Sequence, residues 1–183
     1  MDATLGGTRL TLADDASAAV GLPFTFRYFG QPFNSVTVSS NGYLVFGPSP
    51  ATAWINTPIP NTAQPNGIAA AYWDDLDPSQ NGGAIWYRTL GTAPNRKLVV
   101  SWIAVRHADT PGPISFQATL EETSNDILLA YQDTLHGNPA QDHGASATIG
   151  LESPDGNQGT QFLHNQPLLA PYQATTALRY TNR

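Results

Sequence analysis

Three carboxylates fall within four positions in "GIAAAYWDDLDPSQNGG" (67–83): Asp74, Asp75 and Asp77, directly after an apolar run that ends in Tyr72-Trp73. Such a cluster could be an acid–base pair, an oxygen cage for a hard cation, or a strand end with its turn. A glycosidase-type pair needs its two carboxyls at least about 5 Å apart, on opposite sides of one bond. Asp74 and Asp75 are chain neighbours, so on a strand they face opposite sides of the sheet and cannot share a substrate. Glu121-Glu122 has the same limitation. A cation is the sharper expectation. Asp75, Asp77, Ser79 and Asn81 set oxygen ligands at alternate positions before Gly82, the kind of oxygen-rich turn that suits Ca²⁺. The helix–loop–helix calcium pattern is not met, because the glycine comes late and no glutamate closes the loop. The competing reading is an Asx-rich turn in which the same acids bond backbone amides.

Other chemistry finds less support. "DHGAS" (142–146) holds an Asp, a His and a Ser, but a nucleophilic triad is normally assembled from separated segments, and there is no Gly-x-Ser-x-Gly elbow. The four histidines, His107, His136, His143 and His164, include no His-x-x-x-His spacing, although His136 and His143 flank one loop and could meet. Cysteine is absent, so thiolate metal sites, disulfides and a cysteine nucleophile are excluded. "NGG" (81–83) opens no helix that could receive a phosphate. Two aromatics fall in loops rather than strands, Trp54 and Tyr172, and loop aromatics anchor carbohydrate or protein ligands when they do not fold down over an edge. Trp73, Trp86 and Trp102 sit on strands and read as core.

The elements that must carry these residues are strands. Helical periodicity is almost absent; segments alternate with period two or run apolar between turn signals. "FTFRYF" puts Phe24, Phe26 and Tyr28 on one side, and "SVTV" alternates Val36 and Val38. Asn41-Gly42 then signals a hairpin, since both residues tolerate positive φ. "GPSPATAWINTPIPNTAQPNG" (47–67) carries five prolines, which exclude a central strand and leave an ordered surface loop. "LVVSWIAV" (98–105) is apolar enough to be buried on both faces. In "ISFQATLEE", Ile114, Phe116, Ala118 and Leu120 share one face. "IAAAYW", "AIWYRT", "DILLAYQD", "ASATIGLE", "TQFLHN" and "TALRY" complete the set. About eleven short strands with turns between them predict an all-β fold, an antiparallel jelly-roll-like β-sandwich, with a closed barrel as the alternative. At 183 residues, with no linker and no repeat, the chain is expected to form a single domain over 1–183.

Composition narrows the partners. Charged residues make up 12% of the chain, with one lysine, Lys97, and a net charge of −6. That argues against nucleic acid, whose phosphates are neutralised by Lys and Arg, and against an anionic membrane. No window is long and apolar enough to span a bilayer. "MDATLGGTRL" lacks a basic n-region and an apolar h-region, so a secreted parent implies that this chain is a mature fragment of a larger protein.

Several segments together resemble a known group: "LPFTFRYFGQPFNSVTVSSNGYLVFG", "NTPIPNTAQPNGIAAAYWDDLDP", "GTAPNRKLVVSW", "ISFQATLEETSNDILLAY" and "SATIGLESPDGNQGTQF". In this order they look like a class of bacterial secreted β-sandwich modules that accompany extracellular peptidases and surface proteins. The middle portion is similar to the nidogen-like (NIDO) extracellular domain. The likeness runs from Leu22 to Tyr180; Ser39 to Gly47 and Ala71 to Pro78 carry most of it. The group more often has "APFWDDL" where this chain has "AAAYWDDL", a change in packing rather than in the acids. The resemblance implies a non-catalytic, secreted or cell-surface accessory module for adhesion, binding an extracellular protein, matrix or polysaccharide beside the other domains of its parent. It carries no catalytic residues across. A fibre subunit pairing through sheet edges and a carbohydrate-binding module that uses Trp54 are the alternatives.

Overall fold

The computed structural model describes residues 3–110, 112–167 and 177–181. Among these, thirteen strands form two antiparallel sheets: β1 Thr8–Leu10, β2 Ser17–Tyr28, β3 Gln31–Ser39, β4 Tyr43–Val45, β5 Ile68–Trp73, β6 Leu76–Asp77, β7 Ala84–Leu90, β8 Lys97–His107, β9 Pro113–Glu121, β10 Ile127–Asp133, β11 Thr148–Glu152, β12 Gly159–His164 and β13 Ala177–Tyr180. One sheet runs β1-β7-β8-β9-β10-β13, with β6 beside the end of β8; the other runs β12-β11-β5-β4-β3-β2. This is a β-sandwich, not a barrel. The eleven expected segments are all strands, and the two additions are short. β1 and β6 hold three and two residues, too few to show any period.

The inward faces follow the alternation. Phe24, Phe26 and Tyr28 are buried, as are Ile114, Phe116, Ala118 and Leu120. Trp102 stacks on Phe116 with ring centroids 5.0 Å apart. Its indole N–H crosses the core to the carbonyl of Ser39 at 2.9 Å, and the Tyr131 hydroxyl reaches the carbonyl of Ala71 at 2.8 Å. These bonds pin one sheet to the other and leave each ring's polar atom satisfied. Leu98 to Trp102 are buried on both faces, as their apolar run predicts. Trp73 and Trp102 lie in the core, whereas Trp86 is only half-buried on the outer face, opposite Arg9 of β1.

The proline-rich stretch forms no strand and lies over the outer face of the second sheet. Ala51 and Ile59 pack there on Tyr43, Val45, Ile68, Ala70 and Trp73, a second small core. This explains why β4 and β5 are buried on both faces.

The β2–β3 hairpin bends. Leu22–Thr25 of β2 stand opposite Asn34 alone, a wide bulge between the Gly21–Ser35 and Phe26–Phe33 pairs. Beyond it the Arg27 N–H donates to the Asn125 side chain in the β9–β10 turn at 2.7 Å. The Tyr28 hydroxyl donates to the Ile68 carbonyl at 2.5 Å and accepts the Glu152 N–H at 3.2 Å. The hairpin tip therefore crosses the end of the sandwich and touches both sheets.

Candidate functional site

At the opposite end, the Asn41-Gly42 turn and the end of β5 meet. Gly42 has φ 79°, and a Cβ there would lie 2.0 Å from the Tyr72 carbonyl oxygen, so only glycine fits. Asn41 is fully buried and acts as a hub. Its Oδ1 accepts the Leu76 N–H at 2.9 Å and its Nδ2 donates to Asp15 at 2.8 Å. That bond brings the Asp14-Asp15 doublet against the acidic run.

Asp74 and Asp75, in the bend between β5 and β6, find different partners. Asp74 is buried; it accepts the Ser146 hydroxyl at 2.6 Å and the Asp75 N–H at 3.0 Å. His107 Nε2 lies 3.5 Å from the same carboxylate. Burial opposes a charge on His107, but the bond to Asp74 and its charge outweigh it and hold the imidazole above its ordinary pKa. Its Nδ1 accepts the Asp109 N–H, which places the ring proton on Nε2, facing Asp74. His136 packs edge-on against His107, centroids 5.8 Å apart, and is fully buried with neither ring nitrogen bonded. Burial pushes its pKa down. His136 thus meets His107, while His143 pairs with Thr134.

The four expected metal ligands are divided. Asp77 is buried on β6, and its carboxylate takes both the N–H and the hydroxyl of Ser79, at 2.8 and 2.6 Å, in an Asx turn. Asn81 is exposed, with φ 46°. Asp75 sits elsewhere: its carboxylate, with those of Asp14 and Asp15, forms a group whose oxygens lie within 4.8 Å of one another. Burial first, then the charges of Asp14, Asp15 and Asp74 against the relief from His107, raise the Asp75 pKa. Asp14 and Asp15 carried no sequence signal beyond being a doublet before β2.

The Asp, His and Ser of "DHGAS" do not meet as a triad. Asp142 binds the N–H groups of Gly137 and Asn138, and Ser146 is held by Asp74, so the "DHGAS" residues point to different partners. Glu121 bonds Arg179 and Lys97, chiefly the first, which lowers its pKa to about 2. Glu122 is held by Arg96.

Trp54 rides on the proline-rich loop, 48% exposed, beside Ile55 at 61%. The loop beneath is tightly held. The Ala53 N–H donates to the buried Tyr43 hydroxyl at 2.8 Å, and the Trp73 indole N–H donates to the Ala53 carbonyl at 2.9 Å. On the other side, Asn56 Nδ2 donates to the Ser146 carbonyl at 2.7 Å and to Asn165 at 2.9 Å. Two apolar side chains therefore stand in solvent between two anchored residues. Tyr172 lies outside the described residues.

A family model described as NIDO related matches residues 2–182. No curated protein matches the chain, and no solved structure does.

Proposed function

The chain belongs to the NIDO-related family, and on that premise we propose that it is a non-catalytic recognition module of a secreted bacterial protein. Membership suggests an extracellular, non-enzymatic module, and among the described residues no helix is long and apolar enough to cross a membrane. In this reading residues 1–183 are one domain of a larger parent, and the module attaches it to a surface, a matrix protein or a polymeric substrate.

The observation that carries the proposal is the Trp54–Ile55 pair. Burying these side chains in water-facing positions is favourable for a partner, and the anchored loop means little conformational freedom is lost on contact. Retention of the protein on surfaces coated with deglycosylated extracellular-matrix protein tests it. Trp54→Ala with Ile55→Ala should abolish retention and leave the melting temperature unchanged. Undiminished retention of the double variant overturns this assignment.

Calcium is the second reading, favoured by the convergence of Asp14, Asp15 and Asp75. Self-association through sheet edges has less behind it. The outer strands of the first sheet are short, with three residues in β1 and four in β13, and in the second sheet β2 is interrupted by Pro23, which leaves six-residue β12 as the unbroken edge among the described strands.

A further inference from the structure

The bent β2–β3 hairpin helps to close a cavity of about 610 Å³ at the end of the sandwich away from Asp74. Its walls come from the hairpin tip, the β9–β10 turn, the β11–β12 turn and the end of β13. The volume is within the range of small-ligand sites, roughly 300–1,000 Å³. Three turns from both sheets meet here, and Asn125 bonds the tip in place.

Phe29 stands at the lip of this cavity. It and Gly30 are the two central residues of the hairpin turn, with φ 46° and 77°. That turn favours Asn, Asp or Gly at both positions, and a bulky aromatic side chain in the left-handed region is an outlier. The ring is 37% exposed and meets Tyr28 edge-on at 4.9 Å. A bulky ring held in the left-handed region at the lip of a cavity is the kind of backbone outlier from which a role for the side chain is inferred.

The polar lining is neutral in character. Among the described residues the side-chain amides of Gln31 and Gln158 make no hydrogen bond, and Asn125 uses its Oδ1 on Arg27 and leaves Nδ2. Amides offer donors and acceptors together, which is what hydroxyl groups need. The single carboxylate, Asp155, is already satisfied by Ser153 and Asn157, and Arg27 donates to the Gly30 carbonyl. No cluster of cations is present to select an anion.

We propose that this cavity binds a neutral carbohydrate, with a sugar ring against Phe29 and its hydroxyls on Gln31, Asn125 and Gln158. The site is separate from the Trp54 loop, which is pinned to the far ends of β4 and β5 through Tyr43 and Trp73.

The test is calorimetric and NMR titration with neutral hexasaccharides: β-glucan, α-glucan, mannan, xylan and N-acetylglucosamine series. Wild type, Phe29→Asn, Gln31→Ala/Gln158→Ala and Trp54→Ala are compared. Asn suits the turn better than Phe, so Phe29→Asn should melt no lower than wild type. It should nonetheless bind the responsive sugar about tenfold more weakly or worse. The glutamine double variant should weaken binding similarly, and Trp54→Ala should bind like wild type. No binding of any hexasaccharide at millimolar concentration overturns the proposal, as does unchanged affinity in Phe29→Asn. Loss of sugar binding in Trp54→Ala alone would assign the carbohydrate to the loop instead. The surface-retention assay reads the loop's role separately, so the two proposals can fail independently.

Discussion

Glu152 shows how a residue that announces nothing in the sequence becomes sensitive to pH. It ends β11, is 1% exposed, and accepts the Asn61 N–H of the proline-rich loop on one oxygen at 2.7 Å while the other has no partner. Burial raises its pKa from 4.5 to about 7, against the opposing bond from Asn61. Between those two values the native state holds the proton more tightly than the unfolded chain does. Stability from this group is therefore full below about 4.5 and falls as pH rises toward and through 7. We predict that Glu152→Gln matches wild type near the low end of that window and exceeds it above the high end, by on the order of 2 kcal/mol. Chemical denaturation at a series of pH values checks it; parallel pH profiles for the two proteins would refute it. The acidic run shows the same dependence on surroundings. Asp75 and Asp77 are close in the chain, yet one faces Asp14 and Asp15 and the other bonds Ser79.

Among the elements, the proline-rich loop depends most on single bonds. Its prolines exclude it from the sheet, and its hold on the sheet's outer face comes from a few side chains beneath it. The Tyr43 hydroxyl is buried, with its pKa pushed up to about 12 by desolvation, and it accepts the Ala53 N–H. Tyr43→Phe leaves that N–H without its partner, a loss of roughly 1–2 kcal/mol. The expected signature is local as well: limited proteolysis between Pro48 and Pro65 should quicken in the variant and stay slow in wild type. Rapid cleavage of the wild-type loop would contradict its anchored state. The β2–β3 hairpin behaves in the opposite way. The apolar segment "FTFRYF" runs through Phe29, the first of the two turn residues, so Phe29 disguises a turn that Asn would have declared.

For the molecule as a whole, a bound cation would act through linkage, because anything held only by the folded state raises its stability. At about one hundred times its dissociation constant, Ca²⁺ adds about 2.7 kcal/mol, several degrees of melting temperature. The measurement is melting after EDTA treatment, with and without added Ca²⁺, for wild type, Asp75→Ala and Asp77→Ala. A calcium-dependent rise lost in Asp75→Ala is expected if the three converging acids hold the ion. Asp77→Ala should melt lower with or without calcium, since it breaks the turn to Ser79. If calcium raises neither wild type nor variant, the acids serve as turn and strand-end groups.

What the sequence by itself determined is the class of fold and most of its elements. Period-two alternation reports which side chains face inward, and it marked eleven of the thirteen strands and the inward set on β9 without help. The expectation that Asp74 and Asp75 face apart rested on a strand; the structure puts both between β5 and β6, and there Asp74 bonds Ser146 while Asp75 joins Asp14 and Asp15. Only the tertiary structure decided which acids meet. Asn41 reaches both Asp15 and the Leu76 backbone, and that bond joins segments far apart in the chain. Likewise, the second core beneath the proline-rich loop, the meeting of His107 with His136, and the cavity beside Phe29 each arise where segments distant in the chain converge. A local pattern records a residue's relation to its own strand; it holds no information about which other strand's end will arrive beside it.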